Sequence, residues 1–338
     1  ERIVKVKARP MISLLTNSEV GELTRQDGGF RARILRKSYF VDPEKCTACG
    51  ICTEVCPTEP VKAIRASLTG TIPLTYTIDR DRCLHFIGEE CTLCRDNCPF
   101  GAINFEPKPQ SLELDVRAVV VATGFDVFDA REKAGFGYGR YPNVLTGLDM
   151  ERELNLKGSI TLPSTGKGPQ DVAFIQCVGS RDESIGHGYC SQVCCQYAIR
   201  MANLLRHQNP GINITMFCMD LQTMGKGFGE FYEESKETIH FVRGMPVEIL
   251  EIAPGQLEVR YEDFDRGRVS RGRYDLVVLS VGIVPRRDTS ELARILGINL
   301  DDYGFFDTRE TLDLVRTNMD GIFVAGACQG PKDIAMSI

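Results

Sequence analysis

Neither sign of charge dominates this 338-residue chain: 40 Lys and Arg stand against 46 Asp and Glu, for a formal net charge of −6. No basic face for a nucleic acid is therefore expected. Long apolar runs are missing as well. The longest, Leu276 to Val284, is far short of the ~18 residues that suggest a membrane helix, so the chain is not expected to be transmembrane itself. A short secreted disulfide scaffold is not expected as the reason for 14 cysteines, since the chain has 338 residues and reads as having no secretory signal. A reducing, cytoplasmic setting and metal ligation are expected instead. The four histidines, His85, His187, His207 and His240, are scattered and read as surface or core residues. For His85 and His187, which fall inside cysteine loops, hydrogen bonding behind a ligand is the lesser alternative. Gly225-Lys226-Gly227 has no Ser or Thr after the lysine, so it reads as a turn and not a phosphate loop. Tryptophan and low-complexity tails are absent. Hydrophobic content of 43% and charged content of 25% are ordinary for globular protein, and the length allows two or three domains, each with its own core.

What is present in excess is cysteine, and it is ordered. Cys46-Thr-Ala-Cys49-Gly-Ile-Cys52-Thr-Glu-Val-Cys56-Pro57 is C-x2-C-x2-C-x3-C-P, the bacterial ferredoxin run, whose fourth cysteine ligates the other cluster. Cys83, Cys91, Cys94 and Cys98-Pro99 form a second run with a widened first gap. Gly50 lets the short loop turn, and Pro57 and Pro99 stop each loop from continuing as a helix. By the crossed rule, Cys46, Cys49, Cys52 and Cys98 take one [4Fe–4S] cluster. Cys83, Cys91, Cys94 and Cys56 take the other. Zinc sites built from C-x2-C pairs would gain nothing from a third cysteine at this spacing.

In chain order, Arg2 to Lys7 is strand-like, and both termini read as cuts within a larger fold. Met11 to Leu15 and Phe30 to Leu35 are strand candidates, with Gln26-Asp-Gly-Gly29 a turn. The ferredoxin-like segment spans about 42–107 and closes with Ala102 to Phe105 as a strand. Beyond Pro107 and Pro109, Leu112 to Val116 and Ala118 to Gly124 resume a β pattern, so the cysteine segment reads as an insertion. A buried strand ending in Thr123-Gly124 brings bare backbone close to a dinucleotide. Asp275 to Gly282 and Asp320 to Gly326 repeat that shape.

These three strand ends resemble the flavoproteins built like thioredoxin reductase, an FAD domain interrupted by a nicotinamide-type domain. The resemblance implies an α/β fold with two dinucleotide-binding domains and an inserted α+β bacterial-type ferredoxin domain. It divides the chain into 1–41 (FAD domain), 42–107 (inserted two-cluster domain), 108–146 (FAD domain continued), 147–284 (nicotinamide-type domain) and 285–338 (returning FAD segment, truncated). It implies FAD contacts at Thr123, Gly124, Gly326, Ala327 and Asp333. Ala327 departs from the aspartate usual in the family, which shifts work to backbone N–H groups and to a helix expected to begin near Pro331-Lys-Asp-Ile334.

The middle domain reads as a βαβ unit: strand Asp171 to Cys177, a long helix from Cys190 to His207, and strand Ile212 to Met219. The G-x-G-x-x-G expected between its first strand and helix is missing, which argues against nicotinamide binding there. In its place stand Cys177-Val-Gly-Ser-Arg-Asp182 and Tyr189-Cys190-Ser-Gln-Val-Cys194-Cys195. Cys190 and Cys194, four apart, are expected on one helix face, with Cys195 adjacent and Cys177 arriving from the strand. The helix dipole favours thiolates at that end. A third [4Fe–4S] cluster, a redox disulfide such as Cys190 with Cys194, and inert buried thiols all remain open on spacing alone. Cys218 and Cys328 read as packing residues.

The same cysteine signature resembles that of the HdrA-like proteins, the iron–sulfur flavoprotein subunits of heterodisulfide reductase. So do Gly225-Lys-Gly227 with Glu230-Phe-Tyr232, Gly304-Phe-Phe306, and Ala325-Gly326 leading to Gln329-Gly-Pro-Lys-Asp-Ile334. The resemblance covers nearly the whole chain, as the central portion of an HdrA-like protein. It implies an oxidoreductase carrying FAD and several [4Fe–4S] clusters, one of them on Cys177, Cys190, Cys194 and Cys195. Implied partners are heterodisulfide reductase subunits B and C or their equivalents, a hydrogenase or formate dehydrogenase module, and ferredoxin. The implied activity splits electron pairs at the flavin, one electron towards ferredoxin and one towards a disulfide acceptor. A related protein feeding a membrane quinone module, and a scaffold that only wires clusters, are the alternatives.

Overall fold

The computed structural model describes residues 6, 9–58, 62–66, 73, 75–222, 225–310 and 312–337, which fall into two units, 1–118 and 119–338. The strand expected over Arg2 to Lys7 lies outside the described residues, apart from Val6.

In the first unit, β1 (Ser18–Gln26) and β2 (Gly29–Arg36) form an antiparallel hairpin. Its turn uses Gly28 at φ 79°, a left-handed conformation that costs glycine little. The chain then leaves this sheet, forms α1 (Ile51–Glu54), the short antiparallel pair β3 (Ile64–Ala66) and β4 (Tyr76–Ile78), and α2 (Leu93–Asp96). It returns as β5 (Gln110–Val116), which pairs with β2 from Phe30 opposite Val116 to Arg36 opposite Gln110. The excursion has a core of Val41, Cys52, Cys56, Ala63, Ile64, Cys83, Cys94, Ala102, Ile103 and Phe105, with Cys46 and Cys98 packed against it. Sulfur therefore fills much of the space that aliphatic side chains fill elsewhere.

Two expectations need correcting here. Met11 to Leu15 is not a strand, and Met11 is 94% exposed. The hairpin turn sets the pairing, and its register begins only at Ser18 opposite Arg36, so the earlier residues have no partner strand. Ala102 to Phe105 contributes a single bridge, Ile103 to Val41, in place of a strand.

The second unit opens with β6 (Val119–Val121), β7 (Asp126–Val127) and β8 (Val144–Thr146). Helix α3 (Gly147–Lys157) follows, started by a capping box in which Thr146 and Asp149 satisfy each other's backbone N–H. Next come β9 (Asp171–Val178), α4 (Cys194–Gln208), β10 (Asn213–Cys218), α5 (Phe228–Ser235) and the long β11 (His240–Ala253). After these lie β12 (Gln256–Asp263), β13 (Arg268–Tyr274), β14 (Leu276–Val281), β15 (Ile283–Val284), α6 (Thr289–Leu296) and β16 (Ile322–Val324).

Seven of these strands make one sheet in the order β13-β12-β11-β10-β9-β14-β8. The strands β11-β10-β9-β14-β8 run parallel, as β-helix-β crossovers require, while β11 continues into an antiparallel meander with β12 and β13. Alternation sorts the side chains of the central strands. Val172 and Phe174 of β9 and Leu276 and Val278 of β14 pack with Cys195, Ala198, Ile199 and Ala202 of α4. Ala173, Ile175, Val277 and Leu279 face the other way and meet Ile249, Leu257 and Val259 of the meander with Phe128. Separately, β6 and β16 pair in parallel, Val119 opposite Ile322 and Val121 opposite Val324, and β7 pairs antiparallel with β15.

Candidate metal centres

The first cysteine run wraps tightly because its backbone turns left-handed twice, at Ala48 (φ 58°) and at Gly50 (φ 91°), which caps α1. Cys46, Cys49, Cys52 and Cys98 line one small void, together with Val41, Tyr76, Phe100 and Ile103. Cys56, Cys83, Cys91 and Cys94 line a second, with Ile64, Ile78 and Leu93. Each void thus takes three cysteines from one run and one from the other. Among the described residues no group of three or more His, Cys, Asp or Glu side chains is arranged to hold a single metal ion; these thiols are spread around spaces.

The chemistry of the thiols fits a multivalent cationic group. Burial, then the neighbouring Cys46 and Cys49, push Cys52 up to about 11. Burial, then Cys83, push Cys94 up to about 12. Cys56 goes the other way: burial alone would raise it, but the Thr58 hydroxyl, 3.2 Å away, and backbone N–H groups of Thr58, Ile64 and Ala63 hold it below the usual thiol range. Four sulfurs facing one void repel each other as thiolates, and a bound cation reverses that balance and releases the protons. The Ala102 N–H also donates to Cys98 Sγ at 3.4 Å.

In the second unit the candidate ligands gather where β9 meets α4. Opposite Leu279 and Val281 of β14 stand Ile175 and Val178 of β9, so β9 carries one extra residue between them. Cys177 lies in that bulge at φ 59°, a left-handed conformation rare for a side chain of this kind. The loop that follows is tied down by Arg181 N–H to the Tyr189 carbonyl (2.8 Å) and by a His187 Nδ1 contact to the Gly179 carbonyl (3.1 Å). Cys190 is not on the helix, which corrects the expected start of α4: the helix begins at Cys194. Gln192 at φ 61° breaks the helical path, and its N–H donates back to Cys190 Sγ at 3.3 Å. Ser191, fully buried, accepts the Ile283 N–H on its hydroxyl (2.8 Å), which pins this loop to the end of β14.

Burial and the neighbouring sulfurs raise three of these thiols, Cys177, Cys194 and Cys195. Cys177 is pushed up to about 11 by burial, then by Cys195 and Cys190. Cys194 is driven further up by burial, then by Cys177, Cys195 and Cys190. Three features of this site had no signal in the spacing. Cys218, at the end of the adjacent strand β10, is pushed up to about 12 by burial, then by Cys195 and Cys177. Arg181, four residues after Cys177, donates two hydrogen bonds to Asp220. Gln176, 2% exposed, has neither amide atom satisfied, and the hydroxyl of buried Ser180 is likewise without a partner. Gln176 is two residues on from Phe174, which faces α4. Buried orphan donors beside four thiols fit a group rich in sulfur acceptors.

The residues expected at a flavin divide. Thr123-Gly124 and Gly326-Ala327 follow directly on the carboxyl ends of the paired parallel strands β6 and β16, where open α/β sheets bind ligands. Gly124 (φ 75°) and Gly326 (φ 74°) both border open space that a Cβ would enter. Asp333 does not start a helix: its carboxylate accepts the Met336 N–H (2.7 Å) in a turn over 334–337. Pro331 and the positive φ of Gly330 (139°) precede that turn in place of a helical entry.

Residues 106–338 match the family model described as pyridine nucleotide-disulphide oxidoreductase, and residues 39–62 match that of the 4Fe-4S binding domain. The chain is 41% identical to the HdrA-type component of the H(2):CoB-CoM heterodisulfide,ferredoxin reductase of Methanothermobacter thermautotrophicus, a match covering 98% of the chain and 52% of that protein. It is 36% identical to the corresponding component of the ferredoxin:CoB-CoM heterodisulfide reductase of Methanosarcina mazei, over 100% of the chain and 44% of the relative. The chain thus spans about half the length of the curated relatives it matches. Among solved structures, a thioredoxin reductase from T. acidophilum is similar at 14% identity and a TM-score of 0.43, covering 87% of this chain and 84% of that one.

Proposed function

We infer, since this chain belongs to the pyridine nucleotide-disulphide oxidoreductase family, that it works as an iron–sulfur flavoprotein subunit of a heterodisulfide reductase-type complex. The observation that carries the reading is the sorting of eight cysteines into two voids of four. On this reading Cys46, Cys49, Cys52 and Cys98 hold one [4Fe–4S] cluster, and Cys56, Cys83, Cys91 and Cys94 hold the second. Cys177, Cys190, Cys194 and Cys195 hold a third, and the backbone at Thr123-Gly124 and Gly326-Ala327 receives FAD. When bound, the flavin exchanges electrons in pairs and the clusters pass them singly.

The chain's own residues set the conditions for that traffic. Ile64 and Ile78 around one void, and Val41 and Ile103 around the other, give the buried sulfurs Cys52, Cys56, Cys83 and Cys94 an apolar setting. Cys49 is exposed, which puts an edge of its site within reach of a partner. Gly124 and Gly326 leave room for a cofactor to approach backbone N–H groups. Where the family's phosphate-binding glycines would stand after β9, Cys177 and its bulge stand instead, so this position serves electrons and not a nicotinamide. With cysteine sites in both units, electrons have two routes, and we assign one to ferredoxin and one to a disulfide-reducing partner. The printed names of the relatives, which join heterodisulfide and ferredoxin, support that assignment. Subunits B and C or equivalents, and a hydrogenase or formate dehydrogenase module, are the proposed neighbours.

The test is iron and acid-labile sulfide analysis of the anaerobically reconstituted chain. About twelve irons are expected from three cubanes, falling to about eight in Cys194→Ser. The variant is also expected to lose transfer along one branch while its flavin stays bound. Zinc in place of iron, or an unchanged iron content in the variant, would overturn the reading.

A further inference from the structure

The Arg181 guanidinium is held in place from two sides. Its Nη1 and Nη2 donate to the two carboxylate oxygens of Asp220 at 2.5 and 3.0 Å, and Asp220 also accepts from Gln222 Nε2 at 2.9 Å. Asp220 lies just past the end of β10, and Cys177 sits at the end of the neighbouring parallel strand β9. Arg181 therefore spans the carboxyl ends of two adjacent strands. Its backbone is fixed as well, at φ 57° with its N–H on the Tyr189 carbonyl. The charged pair is lopsided with respect to water: the Arg181 side chain is 24% exposed and that of Asp220 50%. The cation stands in the loop that carries Cys177, four residues further on, and its bond to Asp220 holds it across the strand ends that carry Cys177 and Cys218. The anion faces solvent, which screens it. Arg243, the other cation near Asp220, is turned outward beside Asp265 at 3.7 Å.

We propose that Arg181, oriented by Asp220, is a positioning residue that raises the reduction potential of the cluster held by Cys177, Cys190, Cys194 and Cys195. This rests on the reading of those cysteines as cluster ligands. Reduction adds one negative charge to the cluster, and a fixed, weakly hydrated cation in the loop of its ligands stabilises that added charge more than water would. A guanidinium suits the role because it stays protonated throughout and its planar fork is locked by the carboxylate in one orientation.

A clamp that only fastened the loop would behave differently from a charge that tunes a centre, and the two partners separate the cases. Arg181→Gln removes the cation and Asp220→Asn removes the anion, yet each disrupts the same two-point contact and leaves at most one of its hydrogen bonds. Redox titration followed by EPR, on the full-length protein with its clusters, is expected to show opposite shifts for this one signal. Arg181→Gln should move the one-electron equilibrium about tenfold towards the oxidised form, which is about 59 mV downward. Asp220→Asn should move it upward by less, and Arg181→Lys should recover part of the lost potential. Equal or same-direction shifts in the two variants, or an unmoved potential, would overturn the proposal while leaving the cluster assignment intact. If Arg181→Gln does not fold, an absent or downward shift in Asp220→Asn is sufficient to reject it. A wild-type protein with no EPR signal that depends on Cys194 overturns the cluster reading, and this inference with it.

Discussion

Cys98 shows how far a single residue can lie from the group it serves. It ends the second cysteine run, yet it lines the void of Cys46, Cys49 and Cys52. Its sulfur accepts the Ala102 N–H, a bond that serine could keep while losing the soft thiolate that iron prefers. Cys98→Ser is expected to remove the cluster on the first run and spare the one on Cys83, Cys91 and Cys94, roughly halving the iron of residues 42–107. EPR of the reduced variant distinguishes the two. Loss confined to the second cluster would show that the ligand sets do not cross.

Among the elements, the bulge that ends β9 decides what the neighbouring loop can tolerate. Gly179, two residues beyond Cys177, sits at φ 80°, and a Cβ there would meet the Phe128 ring at 2.0 Å. Phe128 is 2% exposed and packed among Ile175, Val277 and Ile249, so it has nowhere to go. Gly179→Ala is expected to cost about 2–4 kcal/mol, combining the left-handed backbone with overpacking. Thermal melting should show this as a drop of roughly 4–16 °C in the second unit. Much around the bulge was legible beforehand. The continuous apolar run of β14 and the apolar stretch of β9 marked buried parallel strands, and in the other unit the crossed ferredoxin rule anticipated which cysteines line each void. Local pattern failed where a partner or a backbone kink decides the outcome. Met11 to Leu15 is apolar enough for a strand but has none to pair with. Cys190 precedes Cys194 at helical spacing, yet Gln192 turns left-handed between them. Cys218 and Asp220 reach the site only because adjacent strands end side by side, a relation between positions some 40 residues apart that no short motif encodes.

At the scale of the molecule, the two units contrast in what keeps them folded. The sheet of the second unit is buried between aliphatic layers on both faces, with Phe174, Ile175, Val277, Val278 and Leu279 fully inaccessible. Its site is built on a frame that stands without metal. The described residues of 42–107 show no such frame. Among them, two four-residue helices and two three-residue strands surround a core in which Cys52, Cys56, Cys83 and Cys94 are buried members. Chelating the iron anaerobically is expected to abolish amide protection in this segment while β9 and β14 keep theirs, as hydrogen exchange would report. Protection surviving in both would mean the segment folds without its clusters.

That sulfur-filled core has a further consequence. A hydrocarbon core is indifferent to air, whereas thiolates bound to iron are open to oxidation, and each one oxidised ceases to be a ligand and puts a bulkier polar group where the core was packed. For residues 42–107, on the proposed reading, oxygen acts as a denaturant, and the corrosion of a cluster and the collapse of its housing are one event. The segment's lifetime then depends less on temperature than on how fast the surrounding cell repairs rust.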